Sequence, residues 1–230
     1  MSGRLRDVAE LLAVIACAVL VKALASQIDW RFAGPISLLA AVVLASLFLR
    51  LRGETWGGYG LAAPAGWRGW AWLPVQSVLA FAVLVAVSLA AQAWIEPVWP
   101  RAPQLEDRFA GIEGDAALFA LWLAIAILHG GFFEEMIFRG FVITRLRRMI
   151  GGGAVIGAWA AGLAVALSAG FFGFRHLATQ GTGGALAAFA MGLAYGALFL
   201  AFRRNLWPLI IAHAAAGALN MLARFAGPAG

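Results

Sequence analysis

The sequence predicts an all-α membrane protein, a bundle of about seven transmembrane helices around an intramembrane polar site, on three observations. Hydrophobic residues make up 63% of the chain and charged residues 12%, with a mean hydropathy of +0.87, whereas about a quarter of a soluble domain is charged. Seven apolar segments can be laid along the 230 residues, each near the roughly 20 residues that a helix needs to cross hydrocarbon. Finally, the apolar run 116–133 ends in Glu134 and Glu135, with Arg139 four residues beyond the second carboxylate. An ionisable side chain near the bilayer centre costs roughly 2.5 to 3.5 kcal/mol unless it faces a polar interior, so these three mark a buried site.

In chain order the expected spans are 8–25, 34–49, 69–94, 116–139, 154–174, 184–202 and 206–223. The first begins behind Arg4 and Arg6 and resembles a signal peptide, with Ala23-Leu24-Ala25 as a small-residue cleavage site. Glu10 and Lys22 interrupt its apolar core, which favours an uncleaved first span. Cys17, the lone cysteine, excludes an internal disulfide and reads as packing. Connections are short except 95–115, where Glu96, Glu106, Asp107, Glu113 and Asp115 make an acidic loop. The whole chain, 1–230, reads as one integral membrane domain with no soluble companion.

A pI near 11 suggests a polyanionic partner, but the basic residues flank hydrophobic spans and form no stripe, so nucleic-acid binding is not expected. With the amino terminus inside, eleven arginines fall at inner ends and five (Arg31, Arg101, Arg108, Arg175 and Arg224) at outer ends, with Lys22 left within the first span. That bias predicts a cytoplasmic amino terminus and an external carboxyl terminus.

Spacing separates the charged residues by role. In a helix Glu135 and Arg139 share a face and form an internal ion pair. Glu134 points about 100° away and has no local partner, which makes it the candidate general base or acid. The simpler reading, that both carboxylates anchor a helix end, is weakened by the histidines. There are three, His129, His176 and His213, each in or against an apolar span. A single membrane histidine usually serves as an interhelical hydrogen bonder, but two with an unpaired glutamate in one small bundle favour a working site. Asn220 follows His213 by two helical turns and shares its face, as a donor to the cavity or as a polar cap. His129 lies roughly 140° round from Glu134 in a straight helix and is expected at the periphery at best. Gly130, Gly131, Gly140, Gly170, Gly173 and Gly217 suit close helix packing and discriminate little.

Glu134-Glu135-x-x-x-Arg139, then Phe172-x-x-x-His176, then His213 behind Arg-Arg-Asn-Leu-Trp-Pro-Leu-Ile-Ile-Ala resembles, in order and spacing, the CAAX protease and bacteriocin-processing (CPBP, or Abi) intramembrane protease family. The resemblance covers about 116–223, which makes 115–226 a CPBP-like core and 1–114 an accessory region of three spans and the acidic loop. It implies an intramembrane glutamic endopeptidase of the bacterial cytoplasmic membrane. In this reading Glu134 and His176 activate the attacking water, Glu135 and Arg139 are supports, and His213 belongs to an oxyanion hole. It also implies prenylated CAAX-like or leader-peptide substrates held at the bilayer. In the family an asparagine follows the last histidine by four residues, and here Gly217 stands in its place. Asn220 or a backbone amide would then have to substitute, since loss of one oxyanion donor costs on the order of 10² to 10³ in rate.

No metal is expected. Zinc is chemically compatible with two histidines and a glutamate, but His-Glu-x-x-His is absent and a general base must be free to accept a proton. Nor is there a Gly-x-Ser-x-Gly elbow; Ser168 lies in Ala-Leu-Ser-Ala-Gly. The rival readings are a transporter using Glu134, His176 and His213 as a proton or ligand relay, and a catalytically silent immunity or scaffold homologue. One conflict stands out. Depth counting along straight spans puts His176 near the outer end and Glu134 and His213 toward the inner side, so strong tilts or helix breaks are expected, with Gly140, 151–153, Gly170 and Gly173 as the places for a break.

Overall fold

In the computed structural model, residues 3–151 and 154–227 are described, and they form helices with short connections. The helices are α1 (Gly3–Leu51), α2 (Gly66–Trp94), the single turn α3 (Gln104–Asp107), α4 (Ala116–Ile150), α5 (Ala154–Ala201) and α6 (Trp207–Ala226). Five of the six are long and apolar enough to cross a membrane. Leu12, Leu24, Val43, Trp72, Leu89 and Leu167 are each at least half exposed on their outer faces, as expected of surfaces wetted by lipid and not by water. The protein is an integral membrane protein.

Two of the five fold back on themselves. A straight 49-residue helix would be about 74 Å long, yet Asp7 and Arg52, at its two ends, are 2.7 Å apart. The turn is at Asp29, whose backbone is extended (φ −150°, ψ 107°) and whose carboxylate accepts from the Arg31 amide. Pro35 follows in the first turns of the returning arm, where a missing N–H costs least. In α5 the turn is Gly181 (φ 68°, ψ −173°), a conformation open essentially to glycine alone. Its arms run antiparallel: a Cβ at Gly173 would sit 2.7 Å from the Ala185 carbonyl, and one at Gly192 would sit 2.8 Å from Ala169.

These turns define the two ends of the molecule. One end gathers Asp29, the 95–115 loop and Gly181, tied by Ala102 N–H donating to the Gln180 carbonyl and by Gly114 N–H donating to that of Phe225. The other gathers Asp7, the 52–60 segment, the end of α4 and the α5–α6 turn. At this second end lies a buried ion cluster. Arg145, fully buried, pairs with Asp7 at 2.7 Å, Glu10 at 2.9 Å and Glu54 at 3.2 Å, while Arg52 spans the same Asp7 and Glu10. Glu10, which interrupts the first apolar run, therefore has cationic partners inside the bundle.

Helix α4 departs from the expected span. It does not end at Arg139 but continues to Ile150, so Glu134 stands near its middle. Residues Ala126–Phe133 and Glu135–Val142 are wound in the wide π register, in which each amide reaches back five residues; the Glu134 N–H, for example, donates to the His129 carbonyl. The expected breaks at Gly140, Gly170 and Gly173 do not occur, because helix runs through all three. Gly140 and Gly173 instead permit close approach, to the Tyr59 carbonyl and to the Ala185 carbonyl respectively. Gly152 and Gly153 lie outside the described residues.

Candidate active site

The site is built on the π-wound middle of α4, packed against α6. Gly131 makes the contact feasible, since a Cβ there would meet Ala214 at 2.6 to 2.9 Å. This approach brings His213 of α6 against both glutamates. Its Nδ1–H donates to Glu135 Oε1 at 2.9 Å, because a carboxylate can only accept, and its Nε2 lies 3.9 Å from Glu134 Oε2.

Glu135 is fully buried and also takes Arg139 Nη1 at 3.2 Å. The Arg139 guanidinium is in turn sandwiched between Phe172, 4.8 Å away, and Tyr195, 5.4 Å away. Arg139 and Glu135 thus neutralise each other inside the bundle and fix the His213 ring. Glu134 has no such close partner.

Glu134 is 8% exposed and borders a cavity of about 260 Å³ together with His129, His176, His213 and Gly217. His176 enters from the first arm of α5. Its Nδ1 is 2.7 Å from the Phe172 carbonyl, to which it must donate, and its ring packs edge-on against Phe172. That bond leaves Nε2 as the lone-pair nitrogen. The depth conflict is removed by the longer α4, which moves Glu134 to mid-helix, and by the position of His176 five residues before the Gly181 turn.

His129 is the residue that straight-helix reasoning misplaced. Residues five apart stack in a π-wound helix, so His129 shares the Glu134 face, Nδ1 to Oε1 3.7 Å. Asn220, by contrast, does not line this cavity. It is exposed, accepts from Arg224 Nε at 2.9 Å and borders a separate hollow nearer the 95–115 loop. Seven residues bring it to the face of His213 but about 10 Å along the axis. Gly217 does face the cavity, and a Cβ there would come within 3.1 Å of that of Ala126.

Three cations also border the cavity: Lys22 from α1, Arg108 from the loop and Arg175 from α5. Lys22 alone carried a signal in the sequence, as an unpaired cation within an apolar span. Among the described residues, no three His, Cys, Asp or Glu side chains are grouped to hold a metal ion.

Residues 116–219 match the family described as Rce1-like, type II CAAX prenyl endopeptidase. This stretch, similar to that family, is called the Rce1-like core below. It contains both glutamates, Arg139 and all three histidines, and it accords with the CPBP resemblance of the motifs. Lys22 and Arg108 fall outside the matched core, in the accessory region. No curated protein and no solved structure matches the chain.

Proposed function

We propose that this protein is an intramembrane endopeptidase that hydrolyses a peptide bond of a membrane-associated substrate with a glutamate-activated water. The observation that carries the reading is the convergence of Glu134, His176 and His213, from three helices of the Rce1-like core, on one small cavity. Glu134 and His176 both line this cavity of about 260 Å³, ample volume for a water held between them.

In this mechanism Glu134 takes a proton from that water while its oxygen adds to the substrate carbonyl carbon. The proton then passes to the departing nitrogen as the C–N bond breaks, and both products leave with full valence. Glu135 holds His213 through Nδ1, so Nε2 donates to the oxyanion when the ring carries both protons. His176, fixed by Phe172, orients the water through its lone pair. No step runs through a metal ion. The family description favours prenylated CAAX-type substrates over leader peptides.

We further take each folded-back helix as two crossings. With α2, α4 and α6 this gives seven, with a cytoplasmic amino terminus in the bacterial inner membrane and the Asp29 and Gly181 turns outside. One observation favours a second reading, a catalytically silent homologue: Gly217 offers no side-chain donor. Cleavage of a membrane-anchored prenylated peptide by the purified protein, beside Glu134→Ala and His176→Ala, with and without chelator, decides between them. Product lost in both variants and retained with chelator supports the glutamate mechanism. A folded wild type that yields no product supports the silent homologue.

A further inference from the structure

The cavity holds more positive charge than its catalysis requires. Lys22, Arg108 and Arg175 border it against a single bordering carboxylate, Glu134, because Glu135 is spent on Arg139 and His213. Buried cations in a membrane bundle are costly and normally meet counter-charges. Here Lys22 donates to the Arg175 carbonyl, and Arg175 to the Ala18 carbonyl and Ser37 Oγ, all neutral acceptors. Arg108 Nε is buried with no hydrogen-bond partner, and its guanidinium lies 5.8 Å from the Trp30 ring. Burial pulls Arg108 below its usual pKa, and Glu134 opposes that shift, so the two groups are within electrostatic reach.

We infer that Lys22, Arg108 and Arg175 form an oxyanion-recognition subsite beside the catalytic group, and that its ligand is the free α-carboxylate of the peptide substrate. The choice of ligand rests on the peptidase reading above; the surplus charge does not. A carboxylate in this place satisfies the idle Arg108 Nε–H and offsets one of the two uncompensated charges. Two of the three cations come from outside the Rce1-like core, so the accessory region supplies selectivity to a reaction centre that the core supplies.

The test uses the full-length Glu134→Gln protein in neutral phosphatidylcholine nanodiscs. A fluorescent membrane-anchored peptide is titrated as the free acid and as its C-terminal amide. We expect the acid to bind about 10-fold tighter or better, the scale of a charge-assisted hydrogen bond. Adding Arg108→Gln or Lys22→Met should bring the ratio toward one, and Arg68→Gln, remote from the cavity, should preserve it. Equal binding of acid and amide, or a ratio unmoved by both variants, overturns the subsite. Equal binding together with loss of co-purifying anionic phospholipid from Arg108→Gln assigns the cations to lipid phosphate and likewise overturns it. Parallel cleavage by the wild type separates the two ideas. Acid-selective binding without cleavage keeps the subsite and removes the peptidase, whereas cleavage without selectivity does the reverse.

Discussion

At the scale of single residues, the two adjacent glutamates do different work because one has a guanidinium and an imidazole within 3.2 Å and the other has neither. Glu134→Gln and His176→Ala should each lower kcat for peptide cleavage by about 10² to 10⁴, the usual worth of a positioned acid–base group, with normal yield of folded protein. Gly217 allows a sharper test. Installing the family's asparagine with Gly217→Asn should not raise activity here, because the added side chain meets Ala126. We expect it to destabilise the protein by about 1 to 3 kcal/mol, read from thermal unfolding in detergent, and a paired Ala126→Gly to recover most of the loss. The Glu135–Arg139 pair was legible from spacing alone, since side chains this long still meet across four residues in the wider winding. The place of His129 was not, because an angle of 140° assumes 3.6 residues per turn and the chain here winds wider.

At the scale of elements, the apolar segments were legible and their joints only partly so. The gaps expected at 26–33 and 175–183 hold the turns at Asp29 and Gly181, but hydropathy stops at Arg139 where the helix does not. The reason is Arg145: a buried arginine reads as a loop residue until Asp7, Glu10 and Glu54 are seen around it. Removing it with Arg145→Leu takes the fully buried cation from Asp7, Glu10 and Glu54 and leaves them only Arg52 and the more exposed Arg6 and Arg148; a loss of about 3 to 5 kcal/mol is expected, measurable as a lower unfolding temperature. At the Gly181 turn, Gly181→Ala forces a side chain into a glycine-only conformation and should cost about 1 to 3 kcal/mol by the same measurement. Glu54 adds a pH signature. Burial alone would raise its pKa, but hydrogen bonds from Tyr59 and Arg148 and the nearby Arg145 hold it below the usual 4.5. A depressed folded-state pKa means that its stabilisation is present above 4.5 and disappears as pH falls through the lower folded value. Glu54→Gln should therefore flatten the acid limb of a stability–pH curve.

At the scale of the whole molecule, the accessory region and the Rce1-like core meet at two places. Lys22 and Arg108 reach the cavity from one side, and Asp7, Glu10 and Arg52 hold the end of α4 from the other. The motifs made the core recognisable, but they carry no information about which accessory residues face it, since that depends on two helical turns and a loop. The seven-crossing arrangement proposed above predicts that single cysteines placed at Glu113 and at Gly53 in a Cys17→Ser background react differently with an impermeant thiol reagent. Glu113→Cys should label in intact cells and Gly53→Cys only after permeabilisation; the opposite pattern inverts the topology.

The ion cluster also bears on the order in which the chain is made. Asp7 and Glu10 enter the membrane long before Arg145 exists, for 93 residues separate Arg145 from Arg52, roughly 5 to 20 s of synthesis at ordinary ribosomal rates. Arg52 closes that interval, because it pairs with both carboxylates as soon as α1 has folded back. With Arg6 also paired to Glu10, the first hairpin carries two cations for its two carboxylates before Arg145 is made, and Arg145 later joins a seat kept ready for it.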